Sequence, residues 1–166
     1  ARTIRRGVYA CTIDRCFDAV VACCARRPAA ETWISPEIRV AYGRLHELGL
    51  AHSIEAWPAG RVGAGEPVGG LYGVALGGAF FGESMFHAAT DAGKVALAYT
   101  VDRLRAAGFV LFDVQWTTLN LARFGAYELP PKQSLAQLHA ALEGKRGQAP
   151  FPVSSECLPS EAGKGA

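Results

Sequence analysis

The sequence predicts an α/β fold of the α+β kind, in which a mixed sheet is flanked by helices. Along the 166 residues, apolar runs of strand length alternate with segments whose apolar residues recur at helical spacing. A meander of strands is followed by a strand–helix–strand crossover, an order that gives both antiparallel and parallel neighbours in one sheet. Half of the residues are hydrophobic and 19% are charged, a composition typical of globular proteins.

The first third of the chain predicts one strand and two helices. Residues 7–13 alternate well enough for a strand, and Asp14 is placed to cap the helix after it. Ser35 is a good N-cap for the second helix, Pro36 suits its first position, and Gly49 is a natural stop. The apolar residues expected on the inner faces of these helices are Phe17, Val20, Val21, Cys24, Ile38, Ala41, Tyr42, Leu45 and Leu48.

Three further strands are predicted in the middle of the chain. Residues 50–57, 68–76 and 79–84 have apolar runs of strand length. The segment 58–67 is rich in Gly and Pro and predicts a loop. Gly77-Gly78 predicts a tight hairpin turn, because glycine accepts positive φ without strain.

The remaining elements include the crossover helix and strand. Thr90 or Asp91 is placed to cap a helix that runs to about Ala107. Residues 109–115 are apolar almost throughout, as expected of a central strand. A short helix to Phe124 follows, with Gly125 as its stop, then a short strand at 127–129 and a helix at 133–142 with Leu135, Leu138 and Leu142 facing inward. This order is the plan of an acetyltransferase-like fold.

Composition and cysteine spacing exclude several classes of protein. The net charge is only +2, so a nucleic-acid partner needs a local basic patch. No apolar run reaches the roughly 18 residues of a membrane span, and no secretory signal pattern is present. Five cysteines include a vicinal pair and no CxxC, which predicts reduced thiols in a cytoplasmic protein and no metal site. We expect no cofactor.

Two carboxylates and a carboxamide are the main candidates for chemistry. Glu83 follows the apolar run 79–82, and a carboxylate at a strand end binds an ammonium or guanidinium well. Asp113 lies among apolar residues, where a buried charge is either paired or functional. Gln115 is expected on the same strand face as Asp113, two residues on. A structural ion pair of Asp113 with Lys94 or Arg123 is the plainer alternative.

Other candidate residues are less specific. His52 has no nucleophile beside it, so a catalytic triad is not indicated. Ser53 and Glu55 are expected to border the site from the same strand. The segment 61–65 lacks a phosphate-loop signature and leads into a strand, which favours a hairpin loop.

Ordered motifs then identify a family. The residues are Thr32-Trp33-Ile34, Ala51-His52-Ser53-Ile54-Glu55-x-Trp57, Val68-Gly69-Gly70-Leu71-Tyr72-Gly73-Val74-Ala75, Gly82-Glu83-Ser84-Met85-Phe86, Asp113-x-Gln115 and Gly125-Ala126-x-Glu128-Leu129-Pro130. Together they closely resemble bacterial leucyl/phenylalanyl-tRNA–protein transferase over roughly residues 2–143.

The resemblance implies an aminoacyltransferase. It would move Leu or Phe, and Met less well, from aminoacyl-tRNA to a protein that begins with Arg or Lys, which marks that protein for degradation by the N-end pathway. The implied domain is acetyltransferase-like and covers 1–143, with a Pro/Gly-rich tail at 144–166. The family's smaller N-terminal domain is absent from this sequence, so we expect the sequence to be a fragment.

The resemblance also implies roles for named residues. Asp113 and Gln115 are expected to be catalytic. The residues expected to bind substrate are Glu83, Met85, Phe86, Phe81, Trp33, Ser53 and Glu55. Those expected to bind RNA are Lys94, Arg103, Arg123, Lys132 and Lys145. An acyl-CoA-dependent N-acetyltransferase of the same fold and an inactive RNA-binding fragment are the alternatives.

Overall fold

The computed structural model describes residues 7–26, 32–115, 117–143 and 151. Within them lies a single sheet of five strands: β1 (Tyr9–Ile13), β2 (Ala51–Pro58), β3 (Gly69–Leu76), β4 (Ala79–His87) and β5 (Leu111–Asp113). They stand in sequence order, the first four antiparallel, while β5 runs parallel to β4. The predicted mixed sheet is confirmed, and the strands that contain Leu71, Phe80 and Leu111 share it.

Helices cover both faces of this sheet. They are α1 (Phe17–Ala25), α2 (Pro36–Glu47), α3 (Ala92–Ala106), the short α4 (Leu119–Ala122) and α5 (Pro131–Glu143). Helices α1 and α2 pack on one face around Tyr72, and α3 packs on the other face around Ile54 and Phe80. None of the helices in the described ranges is long and apolar enough to cross a membrane.

Local signals set most of the element boundaries as predicted. Ser35 caps α2, since its side chain accepts a hydrogen bond from the backbone N–H of Ile38 at 3.3 Å. Gly49 ends the helix with φ +71°, in the left-handed region that glycine adopts freely. Gly77, with φ +55°, forms the two-residue turn between β3 and β4.

Asp14 does not cap α1, contrary to the prediction. The N-cap position belongs to Cys16, and Asp14 lies two residues earlier with φ +55°. Its carboxylate accepts hydrogen bonds from the backbone N–H of Ser53 at 2.8 Å and from Nδ1 of His52 at 2.7 Å. The carboxylate therefore joins the end of β1 to β2, because these bonds satisfy it better than a helix end one turn away.

The C-terminal third differs from the prediction in three places. Strand β5 covers only Leu111–Asp113 and lies at the edge of the sheet, where a longer central strand was predicted. The N–H groups of Val110 and Leu111 donate to the carbonyl of Gly78, and the chain leaves the sheet after Asp113. Residues 127–129 form no strand, and Tyr127 is 69% exposed. On α5, Leu135 and Leu142 are exposed while Ala141 is buried, because the backbone carbonyl of Ala141 receives the N–H of Gly78 and turns that side inward.

A β-bulge interrupts β4 at Glu83. Gly82 pairs with Gly73 and Ser84 pairs with Tyr72, so Glu83 is the extra residue on its strand. One extra residue exchanges the two faces of a strand from that point on. Before the bulge Phe80 packs in the core on the α3 side, and after it Met85 does so.

Phe151 belongs to the core although it lies in the predicted tail. It is 6% exposed and stacks on the imidazole of His52, with ring centroids 4.1 Å apart. The rings of Phe80 and Phe109 lie 5.2 Å and 5.9 Å from it. The rest of 144–166 lies outside the described residues, and with it the predictions made for Lys145 and Cys157.

We expect Phe151→Ala to lower the free energy of unfolding by about 3–5 kcal/mol, because it removes a buried ring and leaves a cavity against His52 and Phe80. Urea denaturation followed by circular dichroism measures the change. The matched control is Leu135→Ala, which truncates an apolar side chain that is 54% exposed, and we expect it to stay within about 0.5 kcal/mol of wild type. Equal effects of the two variants would show that Phe151 contributes nothing to the core.

Candidate active site

A cleft of about 970 Å³ opens where β4 and β5 separate. The two strands pair only from Ala79–Leu111 to Phe81–Asp113, and past that point β4 continues without β5. The cleft is bounded by the bulged part of β4, by residues 87–91, by the first turns of α3 and by the segment from Phe112 to Phe124. Candidate residues far apart in sequence therefore meet in one place.

Glu83 and Gln115 contact each other in this cleft. Nε2 of Gln115 donates to a carboxylate oxygen of Glu83 at 3.3 Å, and both residues line the cleft. The bulge places the Glu83 carboxylate at the edge of the sheet, where a regular strand would hide it on one face. The prediction that Glu83 stands at a strand end is wrong, since β4 runs on to His87.

Asp113 lies behind Gln115, outside the lining of the cleft. Its Oδ1 accepts a hydrogen bond from the backbone N–H of Gln115 at 2.7 Å. Gln115 has φ +67°, a left-handed conformation that is uncommon for a residue with a side chain. The expected shared strand face does not exist, because β5 ends at Asp113. The carboxylate instead holds a turn that aims the carboxamide at Glu83.

Tyr42 of α2 completes this cluster, and the sequence did not reveal its role. Its hydroxyl lies beside the Glu83 carboxylate, and burial, then the charge of Glu83, raise the pKa of the phenol. The phenol therefore stays protonated next to the carboxylate. Its ring lies edge-on to Tyr72, with centroids 5.1 Å apart, and to Trp33, at 6.2 Å. The helical pattern indicated only a core position for Tyr42. The available signal was its hydroxyl, because a buried tyrosine hydroxyl usually has a hydrogen-bond partner.

The cleft has an apolar wall on its α3 side. The apolar side chains that line it are Met85, Leu97, Phe112, Val114, Leu121 and Phe124. A smaller apolar pocket of about 200 Å³ adjoins it and reaches Leu104 and Phe109. Among the aromatic residues expected there, Phe86 packs against the α1 side because the bulge has exchanged the faces, and Phe81 does not line the cleft.

Trp33, which was expected to bind substrate, lines the cleft. Its indole is 50% exposed and forms part of the lining opposite the apolar wall. Large exposed aromatic rings at a cleft mouth are unusual for a purely structural role, because their burial is favourable. The ring is held edge-on to Tyr42, which links it to the Glu83 cluster.

Ser53 and Glu55 do not border the cleft, contrary to the prediction. Both are completely buried on the α1 side of β2. The Glu55 carboxylate receives hydrogen bonds from the hydroxyls of Ser53 and Thr12, and Thr12 in turn accepts from the indole of Trp57 at 2.8 Å. This network stabilises the corner between β1 and α1.

The basic residues expected to bind RNA are dispersed. Lys94 lines the cleft, and its Nζ lies 2.7 Å from the Asp91 carboxylate. Arg103 is half-buried, with its guanidinium 5.4 Å from the centroid of the Tyr99 ring. Arg123 and Lys132 are exposed on the segment that follows the cleft wall.

The four cysteines of the described residues are buried or half-buried, where a thiol is less reactive than at the surface. Cys16 and Cys23 are free thiols, and Cys11 and Cys24 are buried. Burial, then the charge of Glu55, raise the pKa of Cys16 to about 12, and burial raises that of Cys23. Among the described residues, no group of three or more His, Cys, Asp or Glu side chains is placed to hold a metal ion.

Comparison with known proteins gives the family. The model of the leucyl/phenylalanyl-tRNA protein transferase family matches residues 1–139. The chain belongs to this family. The residues that form the cluster, Tyr42, Glu83, Asp113 and Gln115, all lie within the matched range.

Similar proteins from the leucyl/phenylalanyl-tRNA–protein transferase family occur in several bacteria. A protein of this name from Ruegeria pomeroyi is 56% identical over 144 residues, which cover 87% of this chain and 65% of the relative. One from Nitrobacter winogradskyi is 48% identical over 98% of this chain and 71% of its own length. One from Rubrobacter xylanophilus is 52% identical over 86% of this chain and 71% of its own length. These matches do not favour an acyl-CoA-dependent acetyltransferase.

We expect Glu55→Gln to change how stability depends on pH. Burial is the largest cause of the shift in Glu55 and raises its pKa against the opposing hydrogen bonds. A free Glu titrates near pH 4.3, so the folded state holds the proton to higher pH than the unfolded state. The contribution of Glu55 to stability is therefore full below about pH 4 and is lost as the pH rises through the folded pKa.

The measurement is the free energy of unfolding of wild type and Glu55→Gln from about pH 4 to about pH 8. The difference should move in favour of the variant as the pH rises. Glu128→Gln, at an exposed position, controls for the loss of one carboxylate. A difference that stays constant, or moves towards wild type, contradicts the assignment.

Proposed function

We propose that this chain transfers Leu or Phe, and Met less well, from aminoacyl-tRNA to the α-amino group of a protein that begins with Arg or Lys. The proposed role is to mark such proteins for degradation by the N-end pathway in the cytoplasm. Family membership supports the reaction class. The observation that carries the proposal is the contact of Glu83 with Gln115 and Tyr42 at the edge of an apolar cleft.

The proposed reaction needs positioning more than a covalent intermediate. The donor is an ester between the aminoacyl carbonyl and a ribose oxygen, already activated. The acceptor amine attacks the carbonyl carbon, a C–N bond forms, the C–O bond to the ribose breaks, and the ribose oxygen leaves with a proton. A free α-amine has a pKa near 8, so its ammonium loses the first proton at modest cost. Orientation of the two reactants then accounts for most of the acceleration.

Glu83 and Gln115 suit the acceptor amine. The Glu83 carboxylate accepts a hydrogen bond from Gln115 and lies beside the Tyr42 hydroxyl, and its remaining lone pairs are available to an ammonium. Nε2 of Gln115 is directed at Glu83, which leaves its carbonyl oxygen as a second acceptor. Two oxygen acceptors at one point hold an N-terminal ammonium and orient its lone pair once the proton has left. The carboxylate also favours the cationic side chain of Arg or Lys by charge.

Asp113 acts on the reaction through Gln115. Its carboxylate binds the backbone N–H of Gln115 and stabilises the left-handed turn at φ +67°. Without that bond the strained conformation costs of order 1–3 kcal/mol with nothing to offset it. Asp113 is therefore a positioning residue in this proposal.

The apolar wall suits the donor side chain. Met85, Leu97 and Phe112 offer no polar atom that could select one shape of apolar side chain by hydrogen bonding. Such a pocket separates similar apolar side chains by only about 1–3 kcal/mol. Methionine is also adaptable in packing. We therefore expect the cleft to accept Leu, Phe or Met as the donor side chain.

The exposed ring of Trp33 and the basic residues suit the tRNA. A base stacked on an aromatic ring contributes about 1–3 kcal/mol whatever its identity. Lys94 lies at the cleft, and Arg123 and Lys132 are exposed beyond it, where the phosphates near the acceptor end would pass. Arg103 and Lys145 complete the proposed RNA contacts.

We expect Asp113→Ala and Gln115→Ala to lower the single-turnover rate of transfer by about 10- to 100-fold, because the acceptor amine loses its orientation. The affinity for charged tRNA should change little, since neither residue is assigned to RNA. The assay is transfer of labelled Phe from saturating charged tRNA to an Arg-initiated peptide, with tRNA affinity measured separately.

Two further variants sharpen this test. Asp113→Asn keeps an oxygen for the N–H of Gln115, so it should restore most of the rate if Asp113 only positions the turn. Asp102→Ala removes an exposed carboxylate of α3 and serves as control. Rates near wild type for both alanine variants would make Asp113 and Gln115 structural, and transfer absent from a chain that binds charged tRNA would contradict the proposed activity.

We expect the affinity for tRNA to fall as salt rises, because phosphate contacts release counterions. Lys94→Ala, Arg123→Ala and Lys132→Ala should each weaken binding and lower the slope of log affinity against log salt by about 0.7–0.9. Arg44→Ala is the control, since Arg44 is an exposed cation paired with Glu47 on the opposite layer. Affinity that does not depend on salt would count against an RNA partner.

A further inference from the structure

The backbone of β4 has a free edge beside the cleft. Strand β5 pairs with β4 only as far as Phe81, and in the described part of the chain no strand pairs with the outer edge of β4 beyond that residue. Gln115 turns the chain away from the sheet just after β5 ends. The edge from Glu83 to His87 consequently faces the cleft, whose lining includes Met85 and His87.

The alternation of backbone hydrogen bonds along the strands shows which groups of β4 face outward, away from β3. The N–H of Ala75 donates at 2.8 Å to the carbonyl of Leu50, the residue just before β2, so the odd-numbered residues of β3 face β2 and the even-numbered ones face β4. Gly70 pairs with Phe86 and Tyr72 pairs with Ser84, so these two residues of β4 face β3. The N–H and C=O groups of Met85 and His87 therefore point into the cleft.

We propose that the acceptor polypeptide adds to this edge as an extended strand, parallel to β4. The inference rests on the function proposed above and names how that substrate is held. With its ammonium at Glu83 and Gln115, an extended chain running toward His87 takes the direction of β5. The acceptor thus takes the position next to β4 that β5 occupies only as far as Asp113. Its backbone groups pair with those of Met85 and His87.

The chemistry of the edge fits a polypeptide better than the aminoacyl ester. Outward groups recur every second residue, about 6.6 Å apart, which is the repeat of an extended peptide. An aminoacyl ester has one carbonyl and one amine, so it cannot match two successive positions. The Glu83 carboxylate at the start of the edge complements an N-terminal ammonium. Backbone pairing also explains how acceptors of different sequence share one site after their first residue.

The test uses five-residue acceptor peptides that begin with Arg and carry one N-methyl group at the amide of residue 2, 3, 4 or 5. Binding to the chain is measured by fluorescence anisotropy. Because extended peptides present alternate amides to an edge, we expect two alternate positions to lose about tenfold in affinity and the other two to change little. An effect without alternation, or no saturable binding of the parent peptide, overturns the proposal.

A protein variant tests the same contact from the other side. His87→Pro removes an outward N–H, and proline is tolerated where the N–H does not belong to the ladder. We expect weaker peptide binding with unchanged thermal unfolding and unchanged tRNA affinity. Unchanged peptide binding would contradict the proposal that the acceptor peptide pairs with this edge. It would instead agree with an edge that binds the aminoacyl ester.

An acetylated parent peptide separates this proposal from the proposed function. Acetylation removes the ammonium and keeps every other backbone group. If acetylation weakens binding and methylation shows no alternation, the amine site stands and the edge proposal is wrong. If methylation alternates and acetylation has no effect, the edge proposal stands and the assignment of Glu83 and Gln115 to the amine is wrong.

Discussion

The bulge at Glu83 is the constraint on which the candidate site depends. A strand with one extra residue places Met85 on the α3 side and Phe86 on the α1 side, the reverse of what an uninterrupted β4 would do. It also brings a carboxylate to the sheet edge, where groups from both layers reach it. Tyr42 approaches from α2, and Gln115 approaches from the end of β5. Without the bulge these three side chains would have no common point.

The short length of β5 is the second feature that forms the candidate site, because it leaves the edge of β4 open beside the bulge. A fifth strand that matched β4 in full would cover the edge and fill the space that the cleft occupies. Asp113 ends the strand by binding the N–H two residues later, and the turn at Gln115 carries the chain off the sheet. Phe112, Leu121 and Phe124, which belong to the apolar wall, then face β4 across the opening. The polar cluster around Glu83 and the apolar wall thus both result from departures from regular strand pairing at this edge.

Much of the fold was predictable because its signals are local. Ser35, Gly49 and the Gly77 turn each act within a few residues, and the mixed sheet follows from the order of the apolar runs. The errors arose where a distant contact decides the outcome. Asp14 is drawn to His52 and Ser53 across the sheet, and the orientation of α5 is fixed by Ala141 against Gly78. The spacing of apolar residues along the sequence does not reveal such long-range contacts.

The candidate site was predictable in its members more than in its geometry. Glu83, Asp113 and Gln115 stand out as polar residues beside apolar runs, and they do meet. A bulge adds no distinctive residue type here, so the exchange of Met85 and Phe86 between faces left no mark on the sequence. Ser53 and Glu55 were misplaced for a related reason: hydroxyls and a carboxylate in a strand are equally consistent with a buried network.

The burial of Phe151 has a consequence for the order of folding. The ring closes the α3 side of the core against His52 and Phe80, yet it comes after every described helix and strand. During synthesis from the N-terminus, the sheet and all five helices of the described residues are made before the residue that seals them. The nascent chain therefore passes through a stage in which every helix and strand of the described residues has been made and one side of the core is still exposed to water.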